Sequence, residues 1–92
     1  MPITPDNQFN NRADAHINLS NNQASLFGPL PATEAAIYAA ARFTGWYITI
    51  EAKTIKEAEA KSAAQIDYFT KLYRELLEEN LQEQIELLKK QK

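Results

Sequence analysis

Residues 51–92 contain neither glycine nor proline, and that absence constrains the chain more than any motif in it. Proline removes a backbone donor and glycine costs backbone entropy. A stretch free of both, and rich in Glu, Lys, Ala, Leu and Gln, is therefore suited to one uninterrupted helix. At 100° per residue, Ile48, Ala52, Ile55, Ser62, Ile66, Phe69, Tyr73, Leu77, Leu81 and Leu88 fall on one side, and Leu76, Ile85 and Leu87 widen the stripe towards the C-terminus. The pattern predicts a long amphipathic helix, about 60 Å if unbroken. Charge order agrees. Glu57–Lys61, Asp67–Lys71 and Glu86–Lys90 are acid-before-base pairs four apart, and Lys89, Lys90 and Lys92 suit the negative end of the helix dipole. Glu75, Glu79, Glu83 and Glu86 lie opposite the leucines, either as a solvated face or as an acidic strip for a basic partner.

Upstream, Pro31-Ala32-Thr33-Glu34 reads as a helix start, with Thr33 as cap and Glu34 near the positive dipole end. The alanine-rich run 35–41 is strongly helix-forming. Gly45 interrupts it, and Trp46-Tyr47-Ile48-Thr49-Ile50 has high β-propensity. A strand there would need a neighbour, and only Ile17-Asn18-Leu19 could supply one. Helix from about Thr33 to about Lys90, kinked or broken near Gly45, is the expectation.

Residues 1–32 differ in kind. They hold all four prolines and six of the seven asparagines, with no helical period. Turns and extended chain are expected here. Yet Ile3, Phe9, Ile17, Leu19, Leu26, Phe27 and Leu30 are spaced along the segment, and it carries only Asp6, Arg12 and Asp14 as charges, which is unlike disordered sequence. An extended arm docking its apolar side chains on a neighbour fits this pattern.

The organisation is thus a mostly α fold of at most one domain. Residues 1–32 form a proline- and asparagine-rich arm, and residues 33–92 form a long amphipathic helix or kinked helical hairpin. Wheel positions carry Ile37, Ala41, Thr44 and Ile48 onto the main stripe, while Phe43, Trp46 and Ile50 fall on the other side. A helix apolar nearly all round is covered on both sides. The chain has no cysteine, so neither disulfides nor thiolate metal sites can reinforce so small a fold. The second cover is then a hairpin partner within the chain or a neighbouring subunit. A membrane is disfavoured, because the window 35–50 is short and contains Arg42, Thr44 and Thr49.

The same residues limit function. A net charge of −2 with no basic face argues against nucleic acid. The single histidine, His16, has no second histidine to share a metal with and no serine or cysteine in a nucleophilic arrangement. Gly28 and Gly45 alone cannot make a phosphate loop, and Glu78 and Glu79 point to different sides of a helix. No cofactor or metal is expected. The N-terminus lacks the basic-then-apolar pattern of a secretory signal, so Asn18-Leu19-Ser20 reads as ordinary polar sequence in a cytoplasmic or virion setting. The expected function is non-enzymatic. A structural or assembly protein would pack its helices with copies of itself or within a larger complex. The alternative is a small regulatory adaptor presenting its acidic C-terminal helix to a target. An asparagine-rich arm ahead of a helical body is reminiscent, at the level of architecture, of viral capsid and tail accessory proteins. The candidate interface residues are Phe9, Leu26 and Phe27 in the arm, Phe43, Trp46, Tyr47 and Ile50 in the middle segment, and Leu77, Leu81 and Leu88 on the C-terminal stripe. Aromatic residues of these kinds concentrate in buried interface centres.

Overall fold

The structure, a computed structural model, describes residues 1–91. Three helices follow one another: α1 (Phe9–Phe27), α2 (Pro29–Glu51) and α3 (Ile55–Lys90). No strand occurs among the described residues, so Trp46–Ile50 is helix. The mostly α expectation holds.

The first correction concerns the arm. Residues 9–27 are not extended chain but the regular helix α1, and only the segment before Phe9 is irregular. Asparagine is a weak helix former, not a breaker. Between Pro5 and Gly28 nothing in the sequence forbids a helix. Its entry is held locally. The Asp6 carboxylate accepts the Gln8 backbone N–H at 2.8 Å and the Arg12 guanidinium at 2.9 Å. The Arg12 guanidinium, and next the Gln8 N–H, hold the Asp6 carboxyl below its ordinary value.

Gly28 ends α1 and begins α2. Its N–H donates to the Ala24 carbonyl at 2.8 Å, and its own carbonyl accepts the Ala32 N–H at 3.3 Å. Its φ of 98° and ψ of 156° lie where a side chain is strained. A Cβ placed there would meet Pro31 Cδ at an ordinary 3.7 Å, so the demand for glycine comes from the backbone and not from crowding. Pro29 follows at the first helical position, where its missing N–H is harmless. Gly28→Ala is expected to lower stability by about 1–3 kcal/mol, read as a reduced urea midpoint. An unchanged midpoint would show that the α1–α2 joint does not hold this geometry in solution.

The helix start is likewise earlier than expected. Thr33 does not cap α2; its hydroxyl donates back to the Pro29 carbonyl at 2.8 Å, inside the first turn. Gly45 does not break the helix either. α2 runs through it to Glu51, and the chain turns at Ala52–Thr54, where Ala52 is extended. The turn is set by Thr54, whose hydroxyl accepts the Glu57 N–H at 3.0 Å while the Glu57 carboxylate accepts the Lys53 N–H at 3.0 Å. This is close to a reciprocal capping box, and it outweighs the roughly 1 kcal/mol that a mid-helix glycine costs.

Of the expected ion pairs, Glu57–Lys61 is present at 2.7 Å. The other two are replaced by neighbours in the reverse order or spacing: Lys71 reaches Glu75 at 3.9 Å, and Lys89 reaches Glu86 at 3.4 Å. Lys61, and next the Lys53 N–H, hold the Glu57 carboxyl below its ordinary value. Depressed carboxyl values stabilise the fold above the ordinary value, about pH 4, and this contribution is lost as pH falls through the depressed one. Asp6→Asn should therefore reduce helicity by circular dichroism near neutral pH, and the difference from the parent chain should shrink as pH falls through the depressed Asp6 value. A difference that survives acid would place the cause outside the Asp6–Arg12 pair.

Packing is sparse. α1 folds back on the start of α2, and α3 folds back on α2 as a hairpin, with α1 the more extensively packed of the two. Ala32 at the α1–α2 joint is the one buried residue among those described. The accessible surface is 8145 Å², whereas a compact chain of this mass exposes about 5,400 Å². The radius of gyration is 16.1 Å, against about 12 Å for a compact chain of this length. The chain has helices but almost no core of its own.

Candidate protein-interaction faces

Three apolar surfaces follow from this layout. The first is the groove inside the α2–α3 hairpin. Ile37, Ala41, Thr44 and Ile48 of α2 face Ile66, Phe69 and Tyr73 of α3 across an open groove of ≈ 400 Å³. These are the residues that the wheel placed on one stripe; the turn at Ala52–Thr54 folds that stripe against itself. Tyr47 meets Phe69 edge-on at 6.2 Å, and Tyr68 meets Phe69 in the same way at 5.0 Å. Such pairs add about 0.5–1.5 kcal/mol beyond the area they bury. Phe69 and Tyr68 were not among the expected interface residues. Phe69 stood on the stripe, but nothing local could show which helix it would meet.

The second surface is the outer face of α2. The Phe43 and Trp46 rings lie 5.2 Å apart and line a shallow depression with Ala39 and Arg42. Phe43 is 67% exposed, Trp46 54% and Ile50 54%. The arm residues of the candidate interface fall at the two ends of α1. Leu26 and Phe27 are exposed at the C-terminal end of α1, beside Leu30 at the α1–α2 corner. Phe9 is half-buried at the start of α1. Among the described residues, then, nothing covers the Trp46 face.

The third surface is the far part of α3. Residues 77–91 are exposed throughout. Leu77, Leu81, Ile85 and Leu88 line one side with no other element of the chain on them. The α3 segment just before this, Leu72, Glu75 and Leu76, is half-buried. The N-terminal amine of Met1 reaches Glu79 at 3.2 Å, which brings the start of the chain to the same region.

The acidic strip opposite the leucines is answered largely inside the chain. Within that strip Glu75 takes Lys71, Glu79 takes Met1 and Glu86 takes Lys89, and beside it Glu78 takes Arg74 at 3.4 Å. His16 is exposed on α1. Among the described residues no cluster of His, Asp or Glu is arranged to hold a metal, and no helix is long and apolar enough to cross a membrane.

Compared with known proteins, the chain matches one family model, described as a protein of unknown function (DUF3144), over residues 9–85. The match runs from the first residue of α1 to Ile85 in α3, and so covers all three helices. No curated protein and no solved structure matches the chain.

Proposed function

The chain belongs to the DUF3144 family of proteins of unknown function, and we propose that it acts as a non-enzymatic structural or assembly protein whose apolar helix faces are completed by other protein chains. The observation that carries this reading is the mismatch between helix and core. Three full helices bury one residue, while large apolar side chains from Ile17 to Leu88 stay in water. Helices in proteins gain most of their stability from packing an amphipathic face. Exposed apolar patches beyond a few hundred Å² mark interaction sites in soluble proteins. A chain exposing about half again the area of a compact fold gains its missing burial by association.

Light scattering after size exclusion, over a range of loading concentrations, tests the reading. The expected mass is a multiple of one chain, or a monomer that becomes a multiple as concentration rises, with helicity and urea resistance rising in step. A folded monomer whose mass and stability are independent of concentration would overturn assembly with copies of itself.

A further inference from the structure

We propose that the far part of α3, residues 74–91, pairs antiparallel with the same segment of a second copy. This inference rests on the assembly reading above and names the partner and the geometry for one of its faces. Ile55, Ile66, Leu77 and Leu88 recur at intervals of eleven residues, and all four side chains are at least half exposed. An eleven-residue period is 3.67 residues per turn, slightly more than an α-helix, so the stripe stays on one face of a nearly straight helix. Leu81 and Ile85 fill the interval between Leu77 and Leu88 on that face. The body of each chain does not obstruct the pairing, because residues 77–91 are exposed throughout.

Charge selects a second copy and its direction. From Glu75 to Leu88 there are five glutamates and no basic residue, with Lys71 and Arg74 before the segment and Lys89 and Lys90 after it. Parallel pairing places identical flanking residues on opposite edges of the contact and keeps Glu78 and Lys89 eleven residues apart along the axis, so it forms no ion pair between them. Antiparallel pairing that sets Leu81 against Ile85 of the second copy also brings Leu77 within one residue of Leu88, and Lys89 within one residue of Glu78, twice over by symmetry. Glu78 and Lys89 both flank the stripe on the same side, which is the arrangement that antiparallel helices bring together. Their present partners, Arg74 at 3.4 Å and Glu86 at 3.4 Å, are exposed surface contacts that leave each group free to take a further partner. The overlap is about 27 Å long.

Because the chain has no cysteine, single cysteines report the geometry directly. Leu77→Cys and Leu88→Cys chains carrying tags of different size are mixed and oxidised with diamide. The expected product is the mixed disulfide, with little linkage in either variant alone. In parallel, Lys89→Glu should weaken dimerisation on the order of tenfold, and adding Glu78→Lys should restore it. Linkage within each variant alone would show a parallel pair and overturn the proposal. So would a charge reversal without effect, or no linkage at all in a sample that light scattering shows to be oligomeric. Those results would leave assembly through another face standing. A sample that stays monomeric at every concentration would remove this proposal and self-assembly together.

Discussion

Leu81→Asp is expected to abolish association while leaving α3 helical. Leu81 is 54% exposed in a single chain and no other element of that chain rests on it. In the free chain, a carboxylate at this position is therefore solvated and cheap. In an assembly that buries the stripe, each copy would carry an ionised group into an apolar contact, at a cost of several kcal/mol. Leu77→Asp should act in the same way. Glu79→Gln is the control. It weakens only an exposed contact with the Met1 amine, 3.2 Å away, and should change stability by about half a kcal/mol or less. Sedimentation equilibrium measures association, and circular dichroism on the same samples measures helicity. Equal effects from the leucine and glutamate changes would show that the stripe is assigned to the wrong face. Loss of helix in Leu81→Asp at concentrations where the parent chain is also monomeric would show that the leucine supports the single chain.

Trp46→Ala should weaken assembly by about 2 kcal/mol, roughly thirtyfold in dissociation constant. Trp46 packs against Phe43 with tilted rings 5.2 Å apart on the outer face of α2, and both rings are more than half exposed. Tryptophan at the centre of a desolvated contact is among the residues whose truncation costs most. It is the only tryptophan in the chain, so its fluorescence reports this face alone. Emission should be blue-shifted in the assembled protein and move to the red on dilution. Emission that stays red at every concentration would show that the Trp46 face remains in water. The proposed α3 pairing could then persist without it, since the two faces lie on different helices.

The two faces were legible in the sequence to different degrees. Leu77, Leu81 and Leu88 declared themselves by periodicity, and the structure leaves them aligned and uncovered. Phe43, Trp46 and Ile50 declared themselves as the residues left over once Ile37, Ala41, Thr44 and Ile48 had been given to the stripe. Phe9, Leu26 and Phe27 were read as one apolar arm, but α1 separates them. Phe9 is half-buried at one end of the helix, while Leu26 and Phe27 stay exposed at the other. Asparagine content suggests turns, but asparagine is only a weak helix former and does not break α1. The better signals were the Gly- and Pro-free interval from Asp6 to Phe27, the Asp6 side chain ahead of it, and the Gly28-Pro29 joint behind it. Thr54-Ile55-Lys56-Glu57 was a capping-box signal of the same quality, and it marks the true turn.

What the sequence determined by itself was local. Helix formation depends on residues three and four apart, so composition and period were enough to specify α3, most of α2, the stripe and the Glu57–Lys61 pair. Where the chain turns was not decided at that range. Composition offered Gly45 as the break, yet the chain turns at Ala52–Thr54, where the Thr54 and Glu57 side chains cap the start of α3. The outcome also depends on which turn lets distant side chains meet. Turning at Ala52–Thr54 keeps Ile37 to Ile48 in one straight helix and lays that row across from Ile66, Phe69 and Tyr73. Turning at Gly45 would have split the row before it could face anything. The folding of α1 onto α2 about Gly28, and the exposure of the Trp46 and Leu81 faces, follow from that long-range choice. Contacts between residues far apart in sequence carry no local signature, and only the tertiary structure could decide them.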